Sequence, residues 1–130
     1  MVHSLSLCVI QTPLAIARLP GGSDVPWWAV ESGEFLSLTR TPAETSVVCD
    51  ARLVPESVRA ERGYRAIRVD RILALSEIGV LASLATPLAS ADVPIFVIST
   101  YDTDYLLVPE GRLTNAIHAL RHAGHSVAGH

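Results

Sequence analysis

The sequence predicts an α+β fold of the ferredoxin-like kind, built as two units sharing a mainly antiparallel sheet. Three observations carry that prediction. From Tyr64 onward the chain reads strand, helix, strand, strand, helix, strand, which is the split βαβ pattern. The first half echoes its hairpin: Phe35-Leu36-Ser37-Leu38-Thr39 followed by Ser46-Val47-Val48-Cys49 parallels Phe96-Val97-Ile98-Ser99-Thr100 followed by Tyr105-Leu106-Leu107-Val108. Neither half could bury a full core alone, so two half-size units on one sheet, residues 1–61 and 62–130, form the economical architecture.

Taken in order, Leu5 to Ile10 and Leu14 to Leu19 are apolar runs separated by Gln11-Thr12-Pro13, a strand, a tight turn and a second strand. Pro20-Gly21-Gly22-Ser23 breaks the chain. Pro26-Trp27-Trp28-Ala29-Val30 then places Pro at a first helical position for a brief helix or helical turn, with the two tryptophans covering a sheet face. Phe35 to Thr39 and Thr45 to Cys49 form a hairpin across Arg40 to Glu44. Asp50 to Gly63 is polar and reads as the junction between halves. Tyr64 to Val69 is a strand with mixed faces.

The clearest helix follows, with Ser76 as cap, Glu77 in the first turn, and Ile78, Leu81, Leu84, Ala85 and Leu88 at three- and four-residue spacing. Pro87 kinks or shortens it. Ile95 to Ile98 is apolar on both pleat faces, which predicts a central, covered strand. It leads through the polar tetrad Tyr101 to Asp104 into Tyr105 to Val108, a hairpin whose chemically loaded tip sits at the mouth of the sheet. A second helix starts near Arg112, with Leu113, Ala116, Ile117 and Leu120 inward. It stops at Ala123-Gly124, and Ser126 to Ala128 forms a last short strand.

Composition narrows the functional classes. With 49% hydrophobic and 18% charged residues, the 130-residue chain has ample core material and is not disordered. All its basic residues are arginine, six of them between Arg52 and Arg71, but Glu56, Glu61 and Asp70 are interleaved and the formal charge is -3. That describes a solvated face and argues against a nucleic-acid partner. No apolar run is long enough to cross a bilayer and no secretory signal opens the chain, so a cytoplasmic protein without membrane contact is expected. Cys8 and Cys49, without CxxC spacing, read as free thiols.

The run Ile98-Ser99-Thr100-Tyr101-Asp102-Thr103-Asp104-Tyr105-Leu106-Leu107-Val108, preceded by Gly79-Val80-Leu81-Ala82-Ser83-Leu84 and Glu61-Arg62-Gly63-Tyr64-Arg65, resembles the small bacterial proteins made of tandem ACT domains. These are similar to the ACT repeats of the cytosolic arginine sensors of animals. The resemblance implies two βαββαβ units and a small-molecule partner, an amino acid or similar metabolite, bound at an interface between ACT units. It also implies no catalytic chemistry. Carried over residue by residue, it selects Gly79 and Val80 at the helix start and Thr100, Tyr101, Asp102 and Asp104 at the hairpin tip. A helix start favours a carboxylate and a glycine admits close approach, while paired carboxylates accept hydrogen bonds from an ammonium or guanidinium. The sensors have four such units and this chain two, so a homodimer is the natural way to complete a pocket.

Blander readings stand beside these. Asp102 and Asp104 also serve as turn-formers, Gly79 as a packing glycine, and the whole protein as a ligand-free ACT scaffold acting in protein-protein interaction. Nothing nearby supplies the base or nucleophile of an enzyme, and no cofactor is expected. His118, His122 and His125 have metal-like spacing, but without a carboxylate or Cys partner they read as a solvated helix face, and no metal is expected.

Overall fold

The computed structural model describes residues 4–31 and 33–129. Its strands are β1 (Ser6–Val9), β2 (Leu14–Pro20), β3 (Leu36–Arg40), β4 (Glu44–Asp50), β5 (Ala60–Val69), β6 (Phe96–Ser99), β7 (Asp104–Pro109) and β8 (Ser126–Ala128), and its α-helices are α1 (Val80–Ser90) and α2 (Leu113–His122). Two compact units result. One is Thr12–Tyr64, and the other comprises the flanking segments, through Gln11 and from Arg65, so that β1 groups with the later elements and β5 contributes to both.

In the unit of residues 12–64, β4 pairs antiparallel with β3 and β2, and β2 pairs antiparallel with β5. Where a βαββαβ unit would carry helices, this one has single 3-10 turns, Trp27–Val30 and Ala51–Leu53. Pro26 lies just outside the first turn in an extended conformation, φ -68 and ψ 139, rather than at a first helical position. Ala15, Ala17, Trp28, Val47, Cys49 and Val54 form the core. Of the two tryptophans only Trp28 packs there, at 6% exposure, whereas Trp27 is 72% exposed. Buried Asp50 accepts hydrogen bonds from the backbone N–H groups of Glu34 and Phe35 at 3.0 and 3.1 Å, fixing the entry to β3. A side chain on Gly33 would come within 2.9 Å of that carboxylate. Burial, and then the neighbouring Asp50, push the Cys49 thiol up from its ordinary value. Cys8 and Cys49 are both free.

In the other unit the strands run β6-β7-β5-β1-β8. β1 is antiparallel to β5 and parallel to β8, so it stands between the first and last strands of the run β5-α1-β6-β7-α2-β8. Leu84 and Leu88 of α1, with Ala116, Ile117 and Leu120 of α2, pack on Leu7, Val9, Ile67, Val69, Leu106, Val108 and Val127. Burying a side chain of this size stabilises by about 1.5–3 kcal/mol, which is what holds these helices to the sheet. His125 is not on a solvated face but buried. Its Nδ1 accepts from the Leu5 N–H at 3.1 Å, which leaves Nε2 to donate to the Ser83 carbonyl at 3.0 Å.

Two further expectations change. β6 is not central: among the described residues it pairs with β7 alone, and Phe96 is 37% exposed. Its two apolar faces have separate causes. Ile95 and Val97 pack against the core, while Phe96 and Ile98 stand opposite Leu107 and Tyr105 across the hairpin, where apolar pairs stabilise a strand without burying it. The second change concerns α1, which begins at Val80 and not after Ser76. Ile78, expected inward, is 87% exposed, and the buried stripe is Val80, Leu84 and Leu88. Glu77 lies before the helix because its carboxylate accepts from the Ala74 N–H at 2.9 Å and pairs with Arg71, holding residues 71–77 as a loop.

Candidate functional site

The site grows from the junction between β5 and α1. Gly79 caps α1 in the left-handed region at φ 86, a conformation that admits glycine and penalises a side chain. From there the chain turns directly into the helix, and no side chain caps it. The first backbone N–H groups of α1 therefore keep their hydrogen-bonding capacity and the positive end of the helix dipole. Before Gly79, the Arg71 guanidinium grips both oxygens of Glu77 at 2.9 and 3.1 Å, and that hydrogen bond with Glu77 raises the Arg71 pKa above its ordinary value.

The β6–β7 hairpin supplies the opposite wall. Ser99 faces Asp104 across the turn, and its hydroxyl donates to Asp104 Oδ1 at 2.6 Å. The turn itself is held by Thr100, whose N–H donates to the Thr103 carbonyl at 2.8 Å while its Oγ1 accepts from the Thr103 N–H at 3.2 Å. Two further bonds tie the tip to the loop after β5: Leu73 N–H to the Asp102 carbonyl at 2.7 Å and Thr103 Oγ1 to the Val69 carbonyl at 2.8 Å. The tip is thus fixed against the same loop that leads into α1.

Between these walls lies a cleft of about 340 Å³. All six residues selected from the sequence, Gly79, Val80, Thr100, Tyr101, Asp102 and Asp104, line it. So do Glu77, Ser99 and Thr103, which sequence reasoning missed as site residues. Ser99 was legible in principle, since a four-residue turn starting at Thr100 puts it opposite Asp104. Glu77 was not, because its sequence position fits the first turn of a helix equally well.

The lining combines the start of α1 with three acidic residues: Glu77, which is paired with Arg71, and Asp102 and Asp104, which no ion pair engages among the described residues. Such a pocket suits a molecule carrying an anionic and a cationic group a few bonds apart. The described residues contain no group of three or more His, Cys, Asp or Glu placed to hold a metal ion. Nor, among them, is any helix long and apolar enough to cross a membrane. His118 and His122 are exposed on α2, away from the residues lining this cleft.

The ACT domain family matches residues 59–122, and a family described as an N-terminal domain matches residues 13–57. The cytosolic arginine sensor for mTORC1 subunit 1 of Homo sapiens is 35% identical over 108 residues, which are 82% of this chain and 32% of the sensor. Its Bos taurus counterpart is 32% identical over 103 residues, 78% of this chain and 31% of the sensor. The chain therefore spans about a third of the length of the curated relatives it matches. A crystal structure of an Agobacterium tumefaciens protein superposes with a TM-score of 0.92 at 34% identity, covering 99% of this chain and 96% of that one. The regulatory subunit of aspartate kinase from Thermus thermophilus shares the fold, with a TM-score of 0.58 at 13% identity over 88% of this chain and 96% of that one. This chain belongs to the ACT-domain family; it is similar in sequence to an arginine sensor and in fold to the regulatory subunit of an aspartate kinase.

Proposed function

We propose that the protein is a non-catalytic, cytoplasmic sensor that binds an amino acid or similar small zwitterion in this cleft and completes the site as a homodimer. Its repeats, on this reading, are residues 1–61 and 62–130. The observation that carries it is the cleft's composition: Gly79, Val80, Thr100, Tyr101, Asp102 and Asp104 converge there from two separate elements, a helix start and a hairpin tip bearing two carboxylates. The α1 start and the Gly79 backbone receive the ligand carboxylate. Asp102 and Asp104 accept hydrogen bonds from its cationic group, with Ser99 fixing the Asp104 carboxylate in orientation. Thr100 shapes the turn, and Tyr101, 81% exposed, stands at the mouth. The arginine-sensor relatives make L-arginine the first ligand to try.

Thermal-shift measurement against each of the twenty amino acids tests the reading. A true ligand at one hundred times its dissociation constant adds about 2.7 kcal/mol of stability. Asp104→Asn and Asp102→Asn each abolish most of that shift while leaving the ligand-free melting temperature nearly unchanged. Absence of a shift with every amino acid would reject the sensor and leave a ligand-free ACT scaffold.

A further inference from the structure

We propose that His118 and His122, on the outer face of α2, bind one borderline divalent transition-metal ion of the zinc or copper class, in a recess separate from the amino-acid cleft. Side chains four apart on a helix share a face, with Cβ atoms about 5–6 Å from one another. Two imidazole nitrogens so placed reach a single ion at about 2.0–2.1 Å without bending the helix, as in helical zinc motifs. Spacing alone also describes a solvated face, and the surroundings decide between the two. Both histidines are exposed, and no hydrogen bond or ion pair among the described residues engages either ring. His125 differs, being buried with both ring nitrogens engaged. Nor do His118 and His122 stand on an open ridge: with Ala91, Asn115 and Ala119 they line a shallow recess of about 420 Å³.

The lining selects the ion. Ala91 and Ala119 are small enough to leave room for an ion and the waters that complete its coordination, and Asn115, one turn before His118, offers an amide oxygen to such a water. No arginine lines the recess. Arg121 Nη2 donates to the Val127 carbonyl at 2.8 Å and Arg112 Nη1 to the Asp92 carbonyl at 2.9 Å, which turns both guanidinium groups to other elements. Ala91 is the C-cap of α1 and His122 the last residue of α2, so both helices bring the partial negative charge of their C-terminal ends to a bound cation. The lining holds no carboxylate, which disfavours magnesium and calcium, and no thiolate, whereas imidazole suits zinc, copper and nickel. The ligand spacing exists only in the folded helix. The ion therefore binds the native chain in preference to the unfolded one and stabilises it.

Isothermal titration calorimetry of the tag-free full chain with Zn²⁺ and then Cu²⁺ provides the test. It is repeated in a His3→Ala/His130→Ala form, which removes the two histidines outside the described residues. That form still binds Zn²⁺ and gains melting temperature from it. It binds Cu²⁺ more tightly than Zn²⁺, and Mg²⁺ gives no saturable heat. In the same background His118→Ala and His122→Ala each weaken Zn²⁺ binding by at least about tenfold, because losing a direct ligand costs no less than losing a group that orients one. Both positions are exposed, so the circular dichroism spectrum is unchanged while the rise in melting temperature with Zn²⁺ disappears. No saturable heat with either metal in the His3→Ala/His130→Ala form overturns the proposal. So does binding that only one of the two substitutions weakens, which leaves a lone imidazole and an adventitious ion only, or binding that neither weakens, which assigns the ion to other groups. The recess shares no lining residue with the amino-acid cleft, so the sensor reading stands or falls separately.

Discussion

Both hairpins close over four residues led by a threonine, and the turn chemistry is nearly the same. Thr41 N–H donates to the Glu44 carbonyl at 2.9 Å, and Thr41 Oγ1 accepts from the Glu44 N–H at 3.2 Å. Thr100 does the same with Thr103, at 2.8 and 3.2 Å. The residue after each turn then diverges. Thr45 opposes Arg40 and turns inward, fully buried, with no hydrogen-bond partner for its hydroxyl. Asp104 opposes Ser99, takes its hydroxyl proton in a hydrogen bond, and lines the cleft. The element before each hairpin differs as well: a four-residue 3-10 turn in one case, the eleven-residue α1 in the other. A threonine-led turn is a local device that works wherever it is placed. A site needs in addition a helix long enough to present a dipole and free N–H groups to the tip.

The comparison can be broken most forcefully at Asp50. It anchors the first hairpin by accepting backbone N–H bonds at the entry to β3, whereas the second hairpin has Pro109 at the matching position. Asp50→Ala leaves those donors unsatisfied and lowers unfolding free energy by about 3 kcal/mol, measured by urea denaturation. If the loss is below about 0.5 kcal/mol, the anchor is not what holds the hairpin. A smaller effect falls on the second hairpin's partner. Gly79→Ala forces a side chain into the left-handed region and costs about 1–2 kcal/mol, with loss of any ligand-induced thermal shift. Stability loss without loss of the shift would separate Gly79 from the site. The smallest effect has the opposite sign. Thr45→Val removes a buried, unpartnered hydroxyl and stabilises by up to about 1 kcal/mol in the same denaturation assay. Destabilisation would mean that the hydroxyl has a partner in solution, and the contrast with Asp104 would soften.

Much of the architecture was legible because it is written in local pattern. Ser126 to Ala128 was read as a strand and is one. The Ala116, Ile117 and Leu120 stripe of α2 is buried as its spacing requires. The six cleft residues were legible through family resemblance and the known affinity of helix starts for anions, not through periodicity. Other features escaped for physical reasons. Ser76 and Ile78 fit a helical pattern, but the bond network among Arg71, Ala74 and Glu77 competes for the same residues and delays the helix to Val80. The apolar faces of β6 suggested a central strand, because period-two patterning does not tell burial by a layer from pairing with an apolar neighbour strand. His125 looked like part of a solvated histidine row, and only the approach of Leu5 and Ser83 gives its ring a buried place.

By itself, the sequence determined the alternation of strands and helices from Tyr64 onward, the two hairpins and the clustering of carboxylates at one tip. These depend on neighbours within a few residues, where steric and hydrogen-bonding preferences are strong enough to act alone. Tertiary structure decided which hairpin would face a helix start, that β1 would enter between β5 and β8, and that Asp104 would be oriented by Ser99 while Thr45 was left without a partner. Those outcomes depend on contacts between residues far apart in the chain. Their energies arise only when the sheet assembles and brings those residues into register.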